Sequence, residues 1–163
     1  MCSFQRSTSS ALPITPERLV AYDGGCPFCR RSIATLLHWQ ARDATGLFVL
    51  DSPLARRLGA HFGEDPASFD SSWLIEAGQL HRDSDAGWRL ARHFRWPWRA
   101  LVALRWVPPP LRDGTYRLIA RNRHRFQPGL ADADRAAIDA RRVESLRVAD
   151  CIALGLPESL AER

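Results

Sequence analysis

The chain has 163 residues, of which 45% are apolar and 25% are charged. These values are typical of a folded globular protein and exclude collagen-like, low-complexity and fully disordered chains. The longest uninterrupted apolar run near the middle of the chain, Ala100–Leu104, is far shorter than the roughly 20 residues that cross a bilayer. A chain of this length can bury a sizeable core without disulfides or metals.

The positive charge is concentrated in one segment. All 23 basic residues are Arg, and residues 89–125 hold ten of them with a single acid, Asp113. Such a block can face an anionic partner, a nucleic acid or a membrane surface. It can also be a solvated helical face whose Arg stems cover apolar surface, which is the interpretation we favour. Nucleic-acid binding is therefore not expected, and peripheral membrane contact is an alternative that we do not favour.

Four cysteines are present, and two of them, Cys26 and Cys29, form a close pair. The N-terminal residues are rich in Ser and Thr and lack the apolar segment of a secretion signal. This favours a cytoplasmic protein, where structural disulfides are rare and a close Cys pair indicates catalysis or metal binding. Cys2 is interpreted as incidental, and Cys151 as a small apolar core residue.

Apolar runs and breaking residues predict the elements of the N-terminal part in chain order. They are a disordered tail over residues 1–16, a strand at Arg18–Tyr22, a helix opened by Cys26-Pro27-Phe28-Cys29, a strand at Leu47–Leu50, a helix begun by Asp51-Ser52-Pro53, a hairpin of Ser72–Ala77 and Gln79–Arg82, and a helix capped by Ser84-Asp85. The order β-α-β-α-β-β-α is typical of a thioredoxin-like α/β core, which we assign to residues 17–95.

An Arg-rich helical extension follows this core. Prolines divide residues 96–126 into a short helix at 100–107 and a second helix at 111–126, both expected to pack on the core. The apolar positions expected to dock them are Trp88, Phe94, Leu101, Leu104, Leu118 and Ile119. Residues 127–163 form a C-terminal helical segment of unknown role, read as one helix over 131–154.

The Cys pair has the spacing of a dithiol redox centre. The first thiol lies at a helix N-terminus, where unpaired N–H groups and the helix dipole favour a thiolate. Cys26 is therefore expected to attack a partner disulfide, and Cys29, placed deeper in the helix, to resolve the mixed disulfide. Arg30 and Arg31 are candidates to stabilise the thiolate.

Asp23 precedes Cys26 by three residues and is the third candidate site residue. It either accepts the Cys29 proton during resolution or serves as a turn and N-cap residue, and both roles can hold together. A structural zinc site needs four ligands, and the sequence has no second close Cys or His pair to complete one. Haem attachment would need a His directly after Cys29, where Arg30 stands. We therefore expect no metal and no bound cofactor.

Tyr22-Asp23-Gly24-Gly25-Cys26-Pro27-Phe28-Cys29 resembles the signature of the DCC family of thiol-disulfide oxidoreductases. Further segments that resemble this family are Asp51-Ser52-Pro53, Ser84-Asp85-Ala86, Trp96–Arg99, Leu111-Arg112-Asp113, Tyr116 and Ala120–Arg123. The likeness covers residues 18–126. It implies a thioredoxin-like fold and protein-disulfide reductase activity, with Asp23, Cys26 and Cys29 as the site residues.

Disulfide exchange by the Cys pair also defines the expected partners. The substrate would be a disulfide-containing protein or a small thiol compound, and another thiol system would supply electrons. A non-catalytic module that docks an anionic partner or a membrane surface through its Arg-rich face is the competing interpretation. In contrast to thioredoxins and glutaredoxins, which place a cis-proline just before the third core strand, the nearest proline here is Pro66.

Overall fold

The computed structural model of the chain describes residues 15–66, 73–125 and 129–162, apart from the side chains of residues 120 and 124. Residues 1–14 of the predicted tail, which include Cys2, lie outside the described residues. The residues directly before the third core strand also lie outside them.

The predicted element order of the core is confirmed. The elements are β1 (Arg18–Tyr22), α1 (Pro27–Trp39), β2 (Thr45–Val49), α2 (Pro53–Phe62), β3 (Trp73–Glu76), β4 (Gln79–Arg82) and α3 (Asp83–Ala91). The four strands form one sheet in the order β2-β1-β3-β4. Strands β1 and β2 are parallel, whereas β3 runs antiparallel to both β1 and β4. The fold is therefore the expected α/β fold with a thioredoxin-like core.

Helix α2 begins as its sequence predicts. The Ser52 hydroxyl accepts a hydrogen bond from the Ala55 N–H at 3.1 Å, and Pro53 occupies the first turn. The predicted cap of α3 is wrong, because this helix begins at Asp83 without a side-chain cap. Asp85 instead accepts hydrogen bonds from Trp88 and Arg89 within the helix.

Each face of the sheet is covered by an apolar layer. On one side, residues of α1 and α3 pack against the sheet in a cluster that includes Val20, Leu36 and Leu74. On the other side, α2 packs with C-terminal residues such as Leu146 and Leu154. Because both faces are covered, β1 is buried along its whole length.

The extension consists of a 3-10 helix (Trp98–Trp106), α4 (Pro109–Asn122) and a 3-10 turn (Arg123–Arg125). It contacts α3, and the Arg112 Nε donates to the Ser84 Oγ at 2.6 Å. Four side chains expected to dock the extension are nevertheless exposed, namely Leu101, Leu104, Leu118 and Ile119. No helix in the described part of the chain has both the length and the apolar character needed to cross a bilayer.

The C-terminal segment forms two helices, α5 (Asp132–Asp139) and α6 (Val148–Leu154), where the sequence predicted one. The intervening residues run beside β2: the Leu47 N–H donates to the Arg141 carbonyl at 2.8 Å, and the Val143 N–H donates to the Leu47 carbonyl at 2.7 Å. This pairing with the exposed edge of the sheet interrupts the helix, although the residues between the helices include neither Gly nor Pro.

Candidate functional site

The candidate site lies where β1 ends and α1 begins. The Asp23 Oδ1 accepts a hydrogen bond from the Gly25 N–H at 2.9 Å, and the Asp23 carbonyl accepts one from the Cys26 N–H at 3.3 Å. Asp23 therefore has the turn role that the sequence allowed for it. Cys26 is the N-cap residue of α1, and Pro27 occupies the first turn, where a missing N–H is tolerated.

The structure brings the three predicted site residues together. The two Sγ atoms and a carboxylate oxygen of Asp23 all lie within 4.8 Å of one another. Both cysteines are free thiols, and the Cys26 Sγ accepts a hydrogen bond from the Cys29 N–H at 3.3 Å. A hydrogen bond from a helix N-terminal N–H favours a negative charge on the accepting sulfur. The arrangement is that of a reduced dithiol in which one sulfur accepts a backbone hydrogen bond.

The two thiols differ in burial. Cys26 is only 5% exposed, whereas Cys29 is half-buried and lines a cavity of about 230 Å³. Cys26 is therefore the more deeply buried thiol of the pair, although Cys29 lies further along the helix, as expected. Cys26 ends the turn that precedes α1, and Cys29 lines the cavity between α1, α3 and α4.

The proton on Cys29 is held firmly in the reduced protein. Burial, a hydrogen bond with Cys26 and the charge of Cys26 together raise the pKa of this thiol to about 12, with burial the largest of the three effects. Arg123 acts in the opposite direction and lowers it. Two of the effects that raise the Cys29 pKa come from Cys26, so any reaction that removes the Cys26 thiolate makes Cys29 easier to ionise.

Arg123 is a site residue that the sequence patterns did not predict. Its Nη1 lies 4.0 Å from the Cys29 Sγ, across a sequence separation of 94 residues. Of the two cations expected near the thiolate, Arg30 is exposed, and Arg31 forms an ion pair with Asp134 at 3.0 Å. The signal that could have found Arg123 was its place in the family-like segment Ala120–Arg123.

The cavity beside Cys29 is mostly apolar. Its walls come from β1, β3, α1, α3 and the extension, and include Tyr22, Phe28, Trp73, Leu90, Tyr116 and Arg123. A wider groove of about 810 Å³ continues from it along α1 and α3, and shares Phe28, Ser32, Leu36, Gly87 and Leu90 with it. A substrate that reaches Cys29 would therefore meet aromatic and aliphatic side chains.

The same three residues are the candidate metal ligands among the described residues. Asp23, Cys26 and Cys29 provide three donor atoms, one fewer than a structural zinc site requires. Binding of zinc would also require Cys29 to lose the proton that its surroundings retain. The donor set therefore fits a dithiol better than a closed zinc site.

Comparison with known proteins identifies the family of the chain. The family model described as DCC1-like thiol-disulfide oxidoreductase matches residues 20–128, which include the Cys pair and Arg123. The uncharacterized protein YuxK of Bacillus subtilis (strain 168) is 35% identical over 114 residues, which are 68% of this chain and 81% of that protein. No solved structure gives a significant match. The chain therefore belongs to the DCC1-like thiol-disulfide oxidoreductase family.

Proposed function

We propose that the protein is an enzyme of the protein-disulfide reductase type, with Cys26 as the nucleophile and Cys29 as the resolving thiol. The observation that supports the proposal is that the two sulfur atoms have different surroundings. The Cys26 Sγ accepts the Cys29 N–H at the N-terminus of α1, while burial keeps the Cys29 pKa at about 12. Cys26 is thus the thiol placed to begin the reaction, and Cys29 is the one that keeps its proton.

The first step forms a mixed disulfide. The Cys26 thiolate attacks one sulfur of the substrate disulfide, the substrate S–S bond breaks, and the other substrate sulfur leaves as a thiolate that takes up a proton. Because Cys26 is buried, this step requires the α1 N-terminal turn to move aside or the substrate to enter beside Cys29. The wall of the apolar cavity gives the substrate chain a surface on which to lie.

The second step releases the reduced substrate. Once Cys26 is in a mixed disulfide, its negative charge and its hydrogen bond no longer oppose ionisation of Cys29, so the Cys29 pKa falls. Asp23, within 4.8 Å, is positioned to accept the proton, and Arg123 to stabilise the thiolate. Cys29 then attacks the Cys26 Sγ and expels the second substrate thiolate. The substrate gains two electrons, and the protein is left with a Cys26–Cys29 disulfide.

A further turnover requires an external dithiol to reduce this disulfide. The proposal therefore includes a thiol electron donor and a reducing compartment such as the cytoplasm, where such donors are maintained. It requires neither a metal nor a bound cofactor, because the electrons pass only between sulfur atoms.

A Cys29→Ser variant tests the proposed order of the two thiols. Reduced Cys29→Ser protein, incubated with a disulfide-bonded peptide, should accumulate a stable mixed disulfide on Cys26, because no thiol remains to resolve it. Peptide mapping by mass spectrometry after acid quenching locates the adduct. The Cys26→Ser/Cys29→Ser double variant is the control and should form none. An adduct on Cys151, or none on Cys26, would contradict the assignment.

An Arg123→Gln variant tests the part that the extension takes in the second step. Removing the guanidinium removes the charge that lowers the Cys29 pKa, so this pKa should rise and less thiolate should be present at neutral pH. Decay of the mixed disulfide should slow by roughly three- to tenfold, as expected for a shift of about half to one pKa unit. The deficit should shrink as the pH rises.

Rapid-quench measurement of the mixed disulfide against pH gives this result directly. Arg121→Gln is the matched control, since it removes an exposed Arg two residues away on the same segment. Equal decay rates in the two variants at every pH would show that Arg123 does not assist Cys29.

A further inference from the structure

The outward face of the extension carries large apolar side chains among arginines. We call it the extension surface and define it by Trp106, Leu111, Arg117, Leu118, Ile119 and Arg121. Trp106 is 76% exposed, Leu111 is 65% exposed and Leu118 is 62% exposed. Large apolar side chains that cluster in water usually mark an interaction site.

The orientation of α4 explains why these side chains face the solvent. Arg112 and Asp113 both bond to Ser84 of α3, and Tyr116 lines the cavity beside Cys29. One side of α4 is thereby fixed toward the core. Leu111 and Leu118 are seven residues apart, so they share the opposite side of the helix.

The 3-10 helix adds to the same surface. The Arg112 Nη1 donates to the Leu104 carbonyl at 3.5 Å, so the start of α4 lies against the end of the 3-10 helix. Trp106 lies at this junction, with the Arg105 guanidinium 4.7 Å from its ring centroid. A Trp ring stacked with an Arg is well suited to the boundary between headgroups and acyl chains, where one part is apolar and the other hydrated.

The charged side chains of the extension surface are all positive. The extension surface holds two exposed arginines, Arg117 and Arg121, and residues 89–125 contain a single acid. That acid, Asp113, is turned inward toward Ser84. The surface therefore combines exposed Trp, Leu and Ile with exposed Arg, the composition of segments that lie on anionic membranes.

We propose that the extension surface binds the anionic face of a lipid bilayer. Trp106, Leu111 and Leu118 insert into the interfacial layer, and Arg117 and Arg121 lie among the lipid phosphates. Nucleic acid would satisfy the arginines but leave the aliphatic side chains in water. A second copy of the chain would bring two positively charged surfaces together, which is unfavourable.

Binding would also place the Cys29 cavity close to the bilayer. The core-facing side of α4 contributes Tyr116 to that cavity, and Arg123 directly follows the helix. Disulfides at the membrane surface would then be the preferred substrates. This last point rests on the proposed function, whereas lipid binding itself does not require any redox activity.

Vesicle partitioning of the full-length reduced protein tests the proposal. Two probes are used: vesicles of phosphatidylcholine alone, and vesicles of phosphatidylcholine mixed with phosphatidylglycerol. We expect the protein to sediment with the mixed vesicles at low salt, and far less with neutral vesicles or at high salt. Because Trp106 enters the interface, the tryptophan emission should shift to shorter wavelength on binding.

Two variants locate the binding surface. Trp106→Ser/Leu111→Ser should weaken binding by at least about tenfold through lost apolar insertion. Its matched control is Ile152→Ser, because Ile152 is also 65% exposed but lies on α6. Arg117→Gln/Arg121→Gln should reduce the salt dependence, whereas the exposed pair Arg56→Gln/Arg135→Gln should leave binding near the wild-type value.

Several results would overturn the proposal. They are equal partitioning of the surface variants and their controls, no binding to the mixed vesicles at low salt, binding of a DNA or RNA oligonucleotide in place of vesicles, and concentration-dependent self-association without vesicle binding. The thiol assays are independent of each of these results. Failure of lipid binding would thus leave the redox proposal standing, and failure of the redox proposal would leave lipid binding standing.

Discussion

A Cys26→Ser variant should reduce a disulfide-bonded protein no faster than the uncatalysed background, a loss of at least about a hundredfold. Serine is nearly the same size as cysteine, so the N-cap position and the hydrogen bond from Cys29 can be retained. What is lost is the thiolate that begins the reaction. The measurement is the rate of substrate reduction with a dithiol as electron donor.

Cys151→Ala provides the matched control for this variant. Cys151 is a buried free cysteine that packs in the core on the α2 side of the sheet, away from Cys26 and Cys29. Its replacement should leave the reduction rate within about twofold of wild type, since a buried free Cys acts as a small apolar residue. A Cys26→Ser protein that remains folded and retains substantial activity would refute the role of Cys26.

A Leu154→Ala variant should lower the free energy of unfolding by about 2–5 kcal/mol. Leu154 is fully buried in α6, where it packs with residues of β1, β2, α2 and β3. Its carbonyl also accepts the Gly78 N–H at 2.6 Å, at the turn between β3 and β4. The C-terminal segment, which lies beyond the family match, would then be part of the folding unit.

Urea unfolding followed by circular dichroism measures this loss. Ile152→Ala is the control, because Ile152 lies on the same helix but is mostly exposed. Its effect should stay within about 0.5 kcal/mol of wild type. Equal effects of the two substitutions would show that α6 does not stabilise the core.

The core elements could be predicted because their signals are local. The run Arg18–Tyr22, the Pro-containing turn at Cys26 and the Ser52-Pro53 start each fix a strand or a helix end within a few residues. The proximity of the Cys26 and Cys29 thiols likewise follows from their spacing of one helical turn. The order of these elements was then sufficient to indicate the thioredoxin-like core.

The remaining features depend on contacts between distant residues. Arg123 lies near Cys29 only because α4 folds back over α3, which no local pattern encodes. The break after Asp139 occurs because residues 141–143 pair with the edge of β2. The apolar residues of the extension have helical spacing in either case, so the sequence alone cannot tell whether they face the core or the solvent.

Titration of the Cys26–Cys29 pair against thiol redox buffers tests the central claim most directly. Thiol alkylation and mass measurement should show a single two-electron transition in which both cysteines are lost together as one intramolecular disulfide. For a protein-disulfide reductase we expect a midpoint near about −270 mV, the range of reducing thioredoxins. A midpoint near about −120 mV would assign the protein as an oxidant, and no Cys26–Cys29 disulfide at any potential would contradict the redox function.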